Sequence, residues 1–332
     1  MERTSFFRPN VFHHNGRVAE RAFSFLTCGA AVLTLALVVL MTAALVWGAW
    51  PAIDAWGLGF LTRNAWDPVA EVFGGRAMIV GTLATALLAV LLAVPVGFGI
   101  AVFLVELCPR WLRGPLGTAV ELLAAVPSIV YGMWGLLVLG PVLAAWVQQP
   151  LQRLLVDMPV FAALVSGPPV GIGILPAGVI LAIMILPFIA AVMRDVFALT
   201  PAVLKESAYG LGATTWEVVW QVVLPQSRAG ALGGVMLGLG RALGETMAVT
   251  FVIGNVSQLQ SFSVFEAANS ISSVLANEFA ESTGGLHQAA LMYLGLALFA
   301  MTFVVLGASR WLLARSGQRS GQRSGPASRR RT

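Results

Sequence analysis

Charge is confined to short islands in this chain. Uncharged, apolar runs lie between Arg21 and Asp54, Arg76 and Glu106, Glu121 and Arg153, Asp157 and Arg194, and Glu281 and Arg310. Each exceeds the roughly 20 residues that cross about 30 Å of hydrocarbon at about 1.5 Å per residue. A sixth stretch, residues 229–255, is apolar except for Arg241 and Glu245. Backbone groups in hydrocarbon must bond within the protein, and these runs are too long and too uniform for the alternating strands of a barrel. The pattern predicts an all-α polytopic membrane protein with six transmembrane helices.

Composition agrees. Hydrophobic residues make up 58% of the 332 residues and charged residues 11%, against about 25% charged in soluble domains. The positions of the basic residues set an orientation. With the N-terminus inside, the cytoplasmic segments hold Arg3, Arg8, Arg17 and Arg21; Arg110 and Arg113; Arg194, Lys205 and Arg228; and Arg310, Arg315, Arg319, Arg323, Arg329, Arg330 and Arg331. Only Arg63, Arg76 and Arg153 fall outside, and Arg241 lies in the membrane. The positive-inside rule then places both termini in the cytoplasm. The run at 25–47 is too long for the h-region of a cleaved signal peptide and reads as an anchor. The expected organisation is a basic arm at 1–23, a first transmembrane helix at 24–48, a core at 72–314 and a disordered basic tail at 315–332, rich in Arg, Ser, Gly and Gln.

The net charge of +5 sits beside spans and in the tail, where topology and anionic membrane lipid account for it, so no nucleic-acid partner is expected. Trp50, Trp56 and Trp66 suit an interfacial belt better than a ligand cage. Two cysteines, Cys28 and Cys108, offer neither a disulfide framework nor a metal site. Lys205 is the only lysine and follows Leu204, so no Walker A motif exists and the polypeptide has no ATPase chemistry of its own. His13, His14 and His287 lie too far apart for a metalloprotease motif or an obvious triad. The glycines of Gly238-Leu-Gly-Arg-Ala-Leu-Gly244, with Gly230, Gly233 and Gly234, read as small residues that let helices approach closely. A membrane enzyme is therefore not expected, and no cofactor is expected in this chain.

The connection from Arg194 to Arg228 is the most specific part. Thr200-Pro201 reads as an N-cap with Pro at N1, opening a short helix to Leu211 that Gly212 interrupts. Thr214 and Glu217 form a capping-box pattern for a second helix through about Val223, which Leu224-Pro225 is expected to end. Trp216, Trp220, Val218, Val219 and Val222 give this segment more apolar surface than a solvated loop needs.

Glu206-Ser207-Ala208, three residues, Gly212, nine residues, Val222, one residue, Leu224-Pro225 resembles the EAA loop of ABC importer permeases, with Ser207 in place of Ala and Val222 in place of Ile. Residues 126–135, 205–210 and 238–255 are similar to permease subunits of the PstC type. That resemblance implies a type I ABC importer permease of MetI-like fold, and the loop as a coupling element for an ATP-binding subunit. Glu206, Ala208, Gly210, Gly212, Ala213, Thr214, Thr215, Trp216 and Glu217 would make that contact. The implied partners are a PstA-type sister permease, a dimer of the PstB-type ATPase that binds ATP and magnesium, and an external PstS-type phosphate-binding protein.

Arg241 and Glu245 stand four residues apart near the expected bilayer midplane, where a charge costs about 2.5 to 3.5 kcal/mol. One reading is that they neutralise each other along one helix face and staple helices together. The other is that the guanidinium, whose planar fork suits an oxyanion, lines a phosphate pathway. Thr246 and Thr250 would add hydroxyl donors. Pro127 and Gly132 are expected to kink the third span. Three functions stay open: a phosphate importer permease, the same architecture carrying molybdate or sulfate, and a non-transporting scaffold or sensor. A self-contained secondary transporter is disfavoured, since no inverted repeat or pair of broken helices is visible.

Overall fold

A computed structural model describes residues 15–259, 261, 263–282 and 284–321. It is all-α apart from a hairpin of two two-residue strands. Helix α1 (Asn15–Trp56) leads through a 3-10 turn (Gly57–Leu61) to strands β1 (Trp66–Asp67) and β2 (Val72–Phe73). Helix α2 (Arg76–Val102) ends in a π turn (Phe103–Leu107) and is followed by α3 (Arg110–Ala124). Helix α4 (Ser128–Leu155) and the short α5 (Pro159–Leu164) precede α6 (Ile174–Ala198). Then come α7 (Ala202–Gly210), α8 (Thr215–Val218), α9 (Leu224–Leu243), α10 (Met247–Val252), α11 (Ile271–Glu278) and α12 (Gly285–Gly321).

Among the described residues five helices are long and apolar enough to cross a membrane: Glu20–Leu61, Arg76–Leu107, Ser128–Leu155, Ile174–Ala198 and Gly285–Trp311. The sixth expected span, residues 229–255, is not one helix. Helix α9 stops at Leu243, Gly244 to Thr246 are non-helical, and α10 restarts at Met247. Helix α12 continues to Gly321, so its backbone is regular through the first part of the segment expected to be a disordered tail. Residues 322–332, and 1–14 of the basic arm, lie outside the described residues.

Helix α6 is the centre of the core. It packs along α2 and α9 and touches α3 and α10, and Ile180, Leu181, Ile185 and Ile189 are fully buried on it. Small residues set the spacing. Gly230, Gly234 and Gly238 recur every four residues on α9, and a Cβ added to them would lie 2.4 Å from Val196, 2.9 Å from Val192 and 2.7 Å from Ile189 of α6. Gly233, with nothing near its Cβ position, takes no part in that seam. A second cluster joins the end of α1, the hairpin, the start of α2, α11 and α12. There Phe60 stacks on Tyr293 at 4.5 Å, and Trp66 Nε1 donates to Glu278 at 2.9 Å. Trp66 is buried whereas Trp50 is exposed, so only the latter keeps the character of an interfacial residue.

Proline explains where the helices depart from α geometry. The π turns Phe103–Leu107, Gly135–Leu139, Ala144–Gln148 and Val219–Val223 each end two residues before a proline: Pro109, Pro141, Pro150 and Pro225. A proline ring crowds the carbonyl four residues earlier and offers it no N–H. For the three prolines inside a continuing helix those carbonyls belong to Leu137, Trp146 and Gln221, at the centre of each widened turn, where the longer bonding pattern accommodates the ring; Pro109 instead follows Cys108, whose extended backbone has already ended the helix. Consequently Pro225 does not end the helix as expected. The chain stays helical from Thr215 to Leu243. Pro127 likewise does not kink α4 but caps it from outside.

Candidate functional site

In the connection between α6 and α9 two helices start close to where expected, but only the first, α7, is short, since the second runs on from Thr215 through α9. Pro201 rather than Thr200 is the N-cap of α7, and the Thr200 hydroxyl instead meets Ser227 Oγ at 3.2 Å, tying the two ends of the connection together. Gly212 adopts φ +89°, a conformation that L side chains resist. Thr214 then caps α8 in a full capping box: the Glu217 N–H donates to Thr214 Oγ1 at 3.4 Å, and the Thr214 N–H donates to Glu217 Oε2 at 2.8 Å. These bonds hold the Glu217 carboxyl below the usual carboxylate range. Glu206, Gly210, Gly212, Thr214, Trp216 and Glu217 are exposed, while Ala208, Ala213 and Thr215 are half-buried. The result is a protruding turn with the Trp216 ring on its surface, edge-on to Trp220 at 5.4 Å.

Two contacts that the sequence reading missed anchor this turn. Lys205 Nζ donates to Glu106 Oε1 at 2.5 Å, with both side chains largely buried, and Trp220 lies against Phe98 of α2 at 5.9 Å. Beside them Arg194 binds Glu121 of α3 at 2.8 Å and Asp195 at 2.9 Å, and Arg113 donates to the Val105 carbonyl at 2.7 Å. A cavity of about 290 Å³ lies between these groups and Gly117.

The intramembrane residues gather at the break between α9 and α10. Arg241 and Glu245 do not share a helix face, because the helix ends between them, and no ion pair joins them among the described residues. Arg241 is exposed in the last turn of α9, where the partial negative charge of a helix C-terminus favours a cation. Half-buried Glu245 accepts from the Ala248 N–H at 3.3 Å, so its charge faces the first turn of α10. The expected staple is therefore absent as an ion pair, and each charge complements the helix end beside it. Thr246 is half-buried and Thr250 donates to its carbonyl at 2.7 Å.

Thr250 also meets a partner from the segment between α10 and α12. Its hydroxyl lies 2.8 Å from Ser273 Oγ, which is 3.0 Å from Ser270 Oγ, the N-cap of α11. Residues 263–268 lie over the start of α6, with Ile174 N–H donating to Glu266 O at 3.1 Å and Leu175 N–H to Val264 O at 2.8 Å. The signal available in sequence was Ser270 ahead of Ile271 and Val274, a cap before an apolar turn. Among the described residues no cluster of side chains could hold a metal ion.

Five long apolar helices, with α6 at their centre and the broken, charge-bearing α9–α10 pair packed against it, define an integral membrane protein. The fold agrees: a methionine ABC transporter, MetNI, in an inward-facing conformation superposes with a TM-score of 0.51 at 15% identity, over 76% of this chain and 99% of that one. Residues 93–316 match the family model described as binding-protein-dependent transport system inner membrane component, and the chain belongs to that family. Phosphate transport system permease protein PstC of Pasteurella multocida is 54% identical over 301 residues, covering 91% of this chain and 93% of that protein. The PstC proteins of Mesorhizobium japonicum and Haemophilus influenzae are both 52% identical, over 90% of this chain and 91% and 94% of theirs.

Proposed function

We propose that this chain is a permease subunit of an ATP-driven phosphate importer, with both termini in the cytoplasm. The observation that carries the reading is 54% identity to a phosphate permease across nearly the whole length of both chains. In this reading Arg241, Glu245, Thr246 and Thr250 line the pathway, and a sister permease supplies the opposite wall. The turn from Glu206 through Ala208, Gly210, Gly212, Ala213, Thr214, Thr215 and Trp216 to Glu217 docks on a separate ATPase dimer, which holds ATP and magnesium. An external binding protein delivers the anion. Exposure of Arg241 supports the pathway role, since a cation with no ion pair among the described residues is available to a passing oxyanion.

The test is uptake of labelled phosphate by the assembled complex in proteoliposomes with the binding protein outside and ATP inside. Phosphate accumulation that excess sulfate and molybdate fail to suppress is the expected result. Accumulation of molybdate or sulfate in its place would transfer the reading to another oxyanion, and ATP hydrolysis with no transported anion would refute it.

A further inference from the structure

Helix α2 is held by directed polar contacts at both of its ends. At one end the π turn presents Glu106 to Lys205, the only lysine in the chain, with side chains 8% and 16% exposed. On α7 every residue except Lys205 and Ala208 is exposed, so this ion pair is the principal polar tie of that helix to a span. Two turns earlier Phe98 lies between Trp220 and Phe197. At the other end the buried Thr82 hydroxyl accepts from the Ile271 N–H at 3.0 Å and so holds the first residue of α11. The contact is close: a Cβ on neighbouring Gly81 would lie 2.1 Å from the Asn269 carbonyl oxygen. Two residues further along α11, Ser273 reaches Thr250 of α10 at 2.8 Å. Thr82 and Glu106 are separated by about 36 Å at about 1.5 Å per residue, roughly the thickness of the hydrocarbon.

We infer that α2 is the rod that carries movement of the 194–228 connection to the half-helix bearing Thr250, with Lys205 and Glu106 as the joint at one end and Thr82 as the joint at the other. The inference rests on the reading that the Gly210 to Glu217 turn docks on an ATPase. A continuous helix transmits displacement because its backbone bonds resist stretching, and the glycine contacts along it, Gly97 on Ile189 and Gly178 on Leu88, leave α2 and α6 packed closely side by side. An ion pair suits the joint: its loss leaves a largely buried charge without its partner, so the two elements stay together while one of them moves. Lys205, Glu106 and Thr82 are positioning residues that touch no substrate.

The experiment measures ATP hydrolysis and phosphate uptake together in the reconstituted complex of both permeases, ATPase and binding protein. Glu106→Gln, Lys205→Met and Thr82→Val are each expected to assemble and hydrolyse ATP while phosphate moved per ATP falls about tenfold. The exchange Glu106→Lys with Lys205→Glu should restore that ratio to within about twofold. An unchanged ratio in the single variants overturns the inference, and so does a failure of those variants to assemble, which would assign the pair to fold maintenance. If the docking reading itself is wrong the result differs: Gly212→Val assembles with the ATPase as well as the parent chain.

Discussion

At the scale of single residues, function turns on groups that the fold leaves available. Arg241 is exposed and makes no ion pair among the described residues, so Arg241→Ala removes a charge without leaving Glu245 newly unpaired. The expected outcome is a complex that assembles normally and loses uptake, with Arg241→Lys recovering only part because the ammonium lacks the bidentate fork. Near-normal uptake in the double variant Arg241→Leu, Glu245→Leu would show that neither group meets the anion. Gly212 is a second such residue. Nothing lies within 4 Å of where its Cβ would be, so the cost of Gly212→Val is backbone strain alone, about 1 to 3 kcal/mol, read as weakened ATPase association with membrane insertion intact. Glu217 gives the turn a pH dependence. Its carboxyl titrates below its ordinary value of 4.5, so the cap contributes stability above that value and loses it as pH falls through the lowered one. Amide exchange at the Glu217 N–H should therefore accelerate only in acid below the ordinary carboxylate range.

At the scale of elements, what was legible in the sequence followed from local chemistry, and what was hidden depended on neighbours. Charge-free runs located five spans because burial in hydrocarbon depends on composition alone. The Thr214 and Glu217 cap was readable because its partners are three residues apart. The π turns were not, since nothing local distinguishes Pro225, inside a continuing helix, from a proline that stops one. The break at Gly244 was hidden because the apolar run continues on both sides of Arg241 and Glu245, and, although the Ser270 cap of α11 is local, the contacts that seat α11 on Thr82 and Thr250 come from distant segments. The α9 glycines were legible as a packing surface but not by face: Gly230, Gly234 and Gly238 meet α6, whereas Gly233 meets nothing. That division makes a prediction. Gly234→Leu drives its side chain into Val192 and should cost at least about 1 to 3 kcal/mol by overpacking, visible as a lower midpoint of thermal unfolding in detergent. Gly233→Leu should leave the midpoint nearly unchanged.

At the scale of the whole molecule, the chain reads as one part of a larger machine. Its core is built around α6, and the charged break between α9 and α10 opens onto the surface of the chain rather than into an enclosed channel. If Arg241 lies near the bilayer midplane as the sequence leads one to expect, exposure to lipid alone would cost about 2.5 to 3.5 kcal/mol or more. In the proposed importer a second protein wall, with water and anion between, would remove that cost. In the proposed importer energy comes from a separate ATPase; in this chain the only lysine pairs with Glu106, and the sequence has no Gly-Lys-Ser/Thr loop. Both deficits make the same prediction. The purified chain alone in proteoliposomes, supplied with phosphate outside and ATP inside, should accumulate no phosphate above empty vesicles. Adding the sister permease should not suffice, since two walls without an ATPase have a path and no driving force. Accumulation should begin only when the ATP-binding subunits are also present. Uptake against a gradient by this chain alone would mean that the path closes within one subunit and draws on an energy source other than ATP.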